Sequence, residues 1–213
     1  MVTDADPIAD PIADRIADPV AAVKREIRSR VLAARARLDQ ETAATAAEQI
    51  ADNVVAPIGE QGVQVLCAYV SMPTEPGTEV LIDQLHRAGV TVLLPVLLDD
   101  LDLDWAAYRP GQWRRGRFGL VEPSAPPLGV DAIRTAELVL CPGVAGTPAG
   151  QRLGRGGGSY DRALARSLPS TARWLLLYDA EVVDDLPTAP HDQPVDAIVT
   201  PTSLVHVSAR RRF

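Results

Sequence analysis

The chain has 213 residues, 46% of them hydrophobic and only 4% aromatic, with a net charge of −7. That length suits one larger domain whose core is filled by Ala, Val and Leu, and the acidic balance excludes bulk attraction to nucleic acid or anionic membrane. Two cysteines exclude a disulfide framework, no Cys/His spacing resembles a zinc site, and no apolar run approaches the ~18 residues of a membrane span.

The first residues, MVTDADPIADPIADRIADP, are acidic and lack the basic and apolar regions of a secretory signal. A cytoplasmic location is therefore expected. The prolines of the imperfect ADPIADPIADRIADP repeat break any helix, so residues 1–19 read as a flexible extension ahead of one domain over 20–213. Beyond it, Val23, Ile27, Val31, Ala34 and Leu38 fall at helical spacing, interleaved with Lys24, Arg25, Arg28, Arg30 and Arg35. Lys24 and Arg28, four apart, share one helix face. A second helix is expected from Asp39 to Val55.

Short apolar runs then alternate with helical or turn segments. Strands are expected at 63–70, 91–98, 137–145, 172–183 and 196–201, with LDWAAY (103–108) a short strand or turn. Helices are expected at 78–89 and in YDRALARSL. Cys67 and Cys141 sit in two of the apolar runs and read as buried small hydrophobes. Continuous apolar strands alternating with helices point to an α/β fold: a mostly parallel sheet covered by helices on both faces, in one three-layer domain. Ligands of such sheets sit outside the carboxyl ends of the strands.

One such end carries GQRLGRGGGSYDRAL, residues 150–164. Gly154, Gly156, Gly157 and Gly158 let the backbone adopt positive φ and approach a ligand closely, so that successive N–H groups form an anion nest. Ser159 and Tyr160 open a helix whose first amides add positive potential. Arg152 and Arg155 offer forked donors to phosphate oxygens. Asp161 beside such a site suggests a divalent cation shared with phosphates, although a solvated turn with a dipole-favouring Asp is the plainer alternative. Walker A is impossible, because Lys24 is the only lysine, and the sixth position of a GxGxxG pattern begun at Gly154 is Ser159. Spacing alone does not bring Lys24 to the glycine run. Glu75 sits on a strand-end loop, where it is either a binding group or a solvated acid. The pair His191–Asp192 is a turn or a second acidic site. Trp105, Tyr108, Trp113 and Phe118 form either a stacking surface or a satellite apolar cluster.

Together these segments resemble the 5-formyltetrahydrofolate cyclo-ligase family. The resemblance rests on CPGVAGTPAGQRLGRGGGSYDRAL, on Lys24-x-x-x-Arg28, and on Ser71, Glu75 and Thr78. It rests also on Trp105, Tyr108, Gly111, Gly116, Phe118, Gly119, Glu122 and Pro123, and on Pro187, His191, Asp192, Asp196 and Thr200. It runs from about residue 20 to 203. It implies an ATP- and Mg²⁺-dependent closure of 5-formyltetrahydrofolate to 5,10-methenyltetrahydrofolate, with ADP and phosphate released. It further implies that Lys24, Arg28, Arg152, Leu153, Gly154, Arg155, Gly156, Gly157, Gly158, Ser159 and Tyr160 hold ATP. Val70 and Glu75 would hold the folate, Arg155 to Ser159 would border both ligands, and Asp161 and Asp192 would hold Mg²⁺. Arg152 and Arg155 are the expected catalytic cations. The expected partners are these small molecules, acting on a monomer without nucleic acid or membrane. The sequence departs from the family pattern at Ser159, where an aromatic is common, and at Ala145, Gly146 and Thr147. Those departures leave a non-catalytic nucleotide- or folate-binding protein as the alternative.

Overall fold

The computed structural model describes residues 19–207. The extension expected over residues 1–19 lies outside them except for Pro19. Pro19 is the first residue of α1 (Pro19–Arg35), a position where its missing N–H costs no helical hydrogen bond. Then follow α2 (Gln40–Gln61), β1 (Val65–Cys67), α3 (Glu79–Arg87), β2 (Thr91–Leu97), β3 (Leu103–Ala107), β4 (Trp113–Arg115) and β5 (Val121–Pro123). The last third supplies β6 (Leu138–Pro142), β7 (Ala145–Gly146), β8 (Arg152–Leu153), α4 (Ser159–Arg166), β9 (Ala172–Leu176), β10 (Ala197–Val199) and β11 (Leu204–His206).

Seven strands form the main sheet in the order β11-β10-β9-β6-β1-β2-β3. The five central strands are parallel, and the edge strands β3 and β11 are antiparallel to their neighbours. The sequence expectation of a mostly parallel α/β sheet is met. Alternation along each strand divides the core in two. Leu66, Leu94, Leu140 and Leu176 face α2 and α3, where Ile50, Val54, Ile58, Leu81, Ile82 and Leu85 pack. Cys67, Leu93, Cys141 and Leu175 face the other way, against Ile133, Ala163 and Leu164. Both cysteines are fully buried, and burial pushes the Cys141 thiol up to about 11.

Several boundaries differ from those expected. The second helix does not stop at Val55 but runs through Pro57 to Gln61 and ends on Gly62 in the left-handed conformation. Pro57 removes one backbone bond, yet Ile58 continues the buried stripe of Ile50, Ala51 and Val54. The run at 172–183 gives a strand only to Leu176; residues 179–181 form a 3₁₀ turn. β1 is likewise shorter than the apolar run around it. Its chain leaves the ladder after Cys67 and turns over the carboxyl edge of the sheet. Two small hairpins, β4–β5 and β7–β8, were not anticipated. In the second, Gly146 packs where a Cβ would lie 2.6 Å from Leu175. The fully buried Thr147 receives the Gln151 N–H at 3.2 Å, so the departures at 145–147 are accommodated as a tight structural turn.

Helix α1 is fastened to the carboxyl edge by a buried ion pair. Arg35 donates to both Glu181 oxygens at 2.6 and 2.7 Å and to the Gly143 carbonyl at 2.8 Å. Its side chain is 1% exposed and that of Glu181 is 6% exposed. Glu181→Ala would strand the guanidinium in the interior, where an uncompensated charge costs about 3–5 kcal/mol. Urea unfolding should show a midpoint lowered to that extent with an unchanged slope, whereas the double replacement Arg35→Met/Glu181→Leu should cost much less.

Candidate functional site

Every residue expected to hold ATP, folate or Mg²⁺ lines one cavity of about 420 Å³ at the carboxyl edge of the sheet: Lys24, Arg28, Val70, Glu75, Arg152 to Asp161, and Asp192. Its walls come from three sources. α1 lies on one side, the loop from Tyr69 to Thr78 on another, and the glycine run with the start of α4 on the third.

Of the four glycines expected to allow positive φ, Gly156 and Gly158 use it, and Gly154 and Gly157 do not. Gly156 and Gly158 have φ of +104° and +70°, the region that favours glycine. Gly158 precedes Ser159, the first residue of α4. Arg28 braces the run by donating from Nε to the Gly154 carbonyl at 2.8 Å. Arg152, with a side chain only 2% exposed, donates to Asp161 at 2.5 Å and to the Pro142 carbonyl at 3.3 Å. Asp161 also accepts from the Gln193 N–H at 3.1 Å, which draws the 189–193 segment into the site.

Lys24 reaches across the chain to Asp192, 2.5 Å from Nζ to Oδ2. The same oxygen accepts the Ala189 N–H at 2.7 Å. Asp192 therefore closes a turn and faces the cavity at once. Burial disfavours its charge, but the Lys24 ammonium and the Ala189 N–H outweigh this and hold the carboxyl below its usual range. Asp192 is thus ionised at neutral pH.

The 69–78 loop is closed by its own side chains. Thr78 Oγ1 donates to the Tyr69 carbonyl at 2.6 Å and accepts the Ser71 N–H at 3.0 Å, while Ser71 Oγ accepts the Thr78 N–H. Glu75 accepts the Met72 N–H at 3.0 Å. Its carboxylate, 6% exposed, meets Arg155 at 3.1 Å. Glu75 is therefore no solvated turn acid. It is a buried carboxylate held by one cation of the glycine run.

The sequence did not point to several neighbours. Tyr69 is 3% exposed, and its hydroxyl, like that of Tyr160 and the Nε of Arg152, has no hydrogen-bond partner among the described residues. Burial, then the negative charge of Glu75, drives the Tyr69 hydroxyl well above its usual range, so it stays protonated. Leu120, Val121 and Glu122 of the β4–β5 hairpin complete the rim. The only advance signal for them was the position of Glu122 and Pro123 in the motif order. The aromatic group divides: Trp105 is fully buried and Tyr108 nearly so, while Trp113 and Phe118 are exposed.

Comparison with known proteins shows the family. The model of the 5-formyltetrahydrofolate cyclo-ligase family matches residues 20–201. The chain belongs to that family. A cyclo-ligase from Mycolicibacterium smegmatis is 39% identical over 143 residues, covering 65% of this chain and 74% of the relative. One from Escherichia coli is 34% identical over 143 residues, covering 65% and 79%. The solution structure of Aquifex aeolicus 5,10-methenyltetrahydrofolate synthetase superposes with a TM-score of 0.76 at 24% identity, over 90% of this chain and 96% of that one. A synthetase from Mycoplasma pneumoniae gives 0.68 at 18% identity, over 84% and 98%. These two share the fold of this cyclo-ligase family member.

The Lys24–Asp192 pair makes a titration prediction. A carboxyl held below its ordinary 3.8 contributes stability that is complete above that value and lost as pH falls through the folded value. In Lys24→Met burial is left less opposed, so Asp192 should titrate higher than in the wild type. Carboxyl-detected NMR reads this directly, and acid unfolding should begin at higher pH in the variant.

Proposed function

We propose that this chain converts 5-formyltetrahydrofolate and ATP to 5,10-methenyltetrahydrofolate, ADP and phosphate, with Mg²⁺. The observation that carries the reading is the 3.1 Å contact between Arg155 of the glycine run and Glu75 of the facing loop. A glycine-rich turn and a buried carboxylate meet there in one cavity, which supports a reaction between a nucleotide and a second ligand. The names of the curated relatives supply the identity of that second ligand.

In the proposed course the formyl oxygen attacks the γ-phosphorus and ADP leaves. N10 then adds to the activated carbon, its proton is lost to the surroundings, and phosphate departs with the former formyl oxygen. No covalent enzyme intermediate is needed, because phosphoryl transfer calls for positioning and charge neutralisation. Lys24, Arg28, Arg152 and Arg155 supply the positive charge. The N–H groups of Gly156 to Ser159 supply donors that need no reorganisation. Glu75 takes ring N–H groups of the folate and orients it.

Asp161 and Asp192 both line the cavity, and no group of three or more His, Cys, Asp and Glu gathers among the described residues. That donor set fits a magnesium ion held by one or two carboxylates together with phosphates, and does not fit an all-protein cage. The bound ion would neutralise charge on the phosphate oxygens. Lys24 and Arg152, which hold these two carboxylates, are also the cations nearest to them that could turn toward phosphate.

The reading is tested by mixing the purified protein with 5-formyltetrahydrofolate, Mg²⁺ and ATP and following methenyl absorbance. ATP-dependent product is expected. A thermal shift with each ligand but no product would mark a binding protein instead. Arg155→Ala, at an exposed position, should lower kcat/KM by roughly 100-fold, the scale of losing one preorganised charge donor, with circular dichroism unchanged.

A further inference from the structure

The turn that carries Glu75 is pinned to the rest of the fold from two sides. Gly77 packs so closely on α2 that a Cβ there would lie 2.8 Å from Ala47. On the other side, the Tyr178 hydroxyl donates to the Glu75 carbonyl at 3.2 Å, across 103 residues of sequence. Between these points the turn is closed on itself. The Glu75 N–H donates to the Met72 carbonyl at 2.8 Å, and the Glu75 carboxylate accepts the Met72 N–H at 3.0 Å. Residues 72–75 therefore form one piece, and the Tyr178 hydroxyl holds the end of it that bears the carboxylate.

Tyr178, just past the end of β9, is itself held at three points. Its N–H donates to Glu181 at 3.0 Å. The Arg35 guanidinium lies over its ring, 5.8 Å from the centroid, which is a cation–π distance. The hydroxyl on Glu75 is the third contact. Burial raises that hydroxyl above its ordinary range against the pull of Arg35, so at neutral pH it keeps its proton and donates. The buried pair that fastens α1 thus grips Tyr178 with both partners, the guanidinium on the ring and the carboxylate on the N–H. Tyr178 is not among the residues that line the cavity, so any part it plays there is played through Glu75.

We propose that Tyr178 is a positioning residue for the folate: by holding the Glu75 carbonyl, its hydroxyl sets where the Glu75 carboxylate meets the ligand. The proposal rests on the reading of Glu75 as the group that takes the folate ring. The Glu75 carboxylate is 6% exposed and lies 3.1 Å from Arg155, so a small rocking of the 72–75 turn alters its reach into the cavity. Hydrogen bonds weaken steeply when bent or stretched, which makes ligand binding sensitive to that movement. The cations across the cavity are fixed by other partners: Lys24 by Asp192, Arg28 by the Gly154 carbonyl and Arg152 by Asp161. The effect of Tyr178 therefore falls on the folate side and spares the nucleotide side. The Arg35–Glu181 pair, through Tyr178, serves the ligand as well as α1.

The wild type is first titrated calorimetrically with 5-formyltetrahydrofolate and, separately, with ATP and Mg²⁺. No binding of the folate overturns the folate reading and this inference with it. Given binding, Tyr178→Phe removes one hydroxyl and keeps the ring under Arg35 and the N–H on Glu181. It should weaken 5-formyltetrahydrofolate roughly fivefold, the scale of one hydrogen bond, in Kd and in KM alike. The Kd for ATP and kcat at saturating folate should stay within about twofold. Thr202→Val is the control, because the exposed Thr202 donates to Asp179 in the same 3₁₀ turn and does not reach Glu75. It should leave both affinities within about twofold, even where it lowers the thermal midpoint as far as Tyr178→Phe does. An unchanged folate affinity in Tyr178→Phe, an equal loss for folate and ATP, or the same folate loss in Thr202→Val would each overturn the positioning role while leaving the folate reading intact.

Discussion

The site depends on one helix lying across the carboxyl edge of the sheet. Lys24, Arg28 and Arg35 share a stripe of α1 with the buried Val31, and each cation grips a different segment. Lys24 holds Asp192, Arg28 holds the Gly154 carbonyl, and Arg35 holds Glu181 and Gly143. Remove that helix and the cavity loses a wall, two of its cations and the brace of the glycine run. A buried ion pair is a weak source of net stability, so the return on Arg35–Glu181 is positional. Charged partners fix the register of α1 along the sheet more narrowly than an apolar stripe could, and Ile27 with Leu153 and Leu186 supplies the apolar contact beside them.

The arginines of the site are fastened before any ligand arrives. Arg152 is tied to Asp161 and Arg155 to Glu75, while the 69–78 loop is closed by its own hydroxyls. Such a site avoids much of the cost of ordering side chains on binding. It also balances its charges internally, pairing Lys24, Arg152 and Arg155 with Asp192, Asp161 and Glu75.

Much of this was legible in the sequence, for identifiable reasons. Helical period marked α1, glycine chemistry marked the cradle at 154–158, and apolar runs marked the parallel strands. The second helix was expected to end at Val55, but it continues through Pro57 because Ile58 extends its buried stripe. The role of Lys24 was invisible to spacing, because its partner Asp192 lies 168 residues away. The small hairpins were missed because β4 is fully exposed and β7 and β8 are two residues each, too short for any period. Tyr69 was missed because a tyrosine within an apolar run looks like core, which most of it is. Ser159 shows the reverse case: a departure plain in the sequence whose local result is ordinary, since it simply opens α4 after Gly158.

The grip of α1 on its partners also has a temporal side. Its three cations wait for segments 168, 126 and 146 residues further along the chain. These are among the longest loops the fold must close, and contacts of that kind form late because their closure entropy precedes their reward. The earliest of the described helices is therefore among the last elements to find its place. The cavity is completed only when Asp192, in the last part of the described chain, meets Lys24.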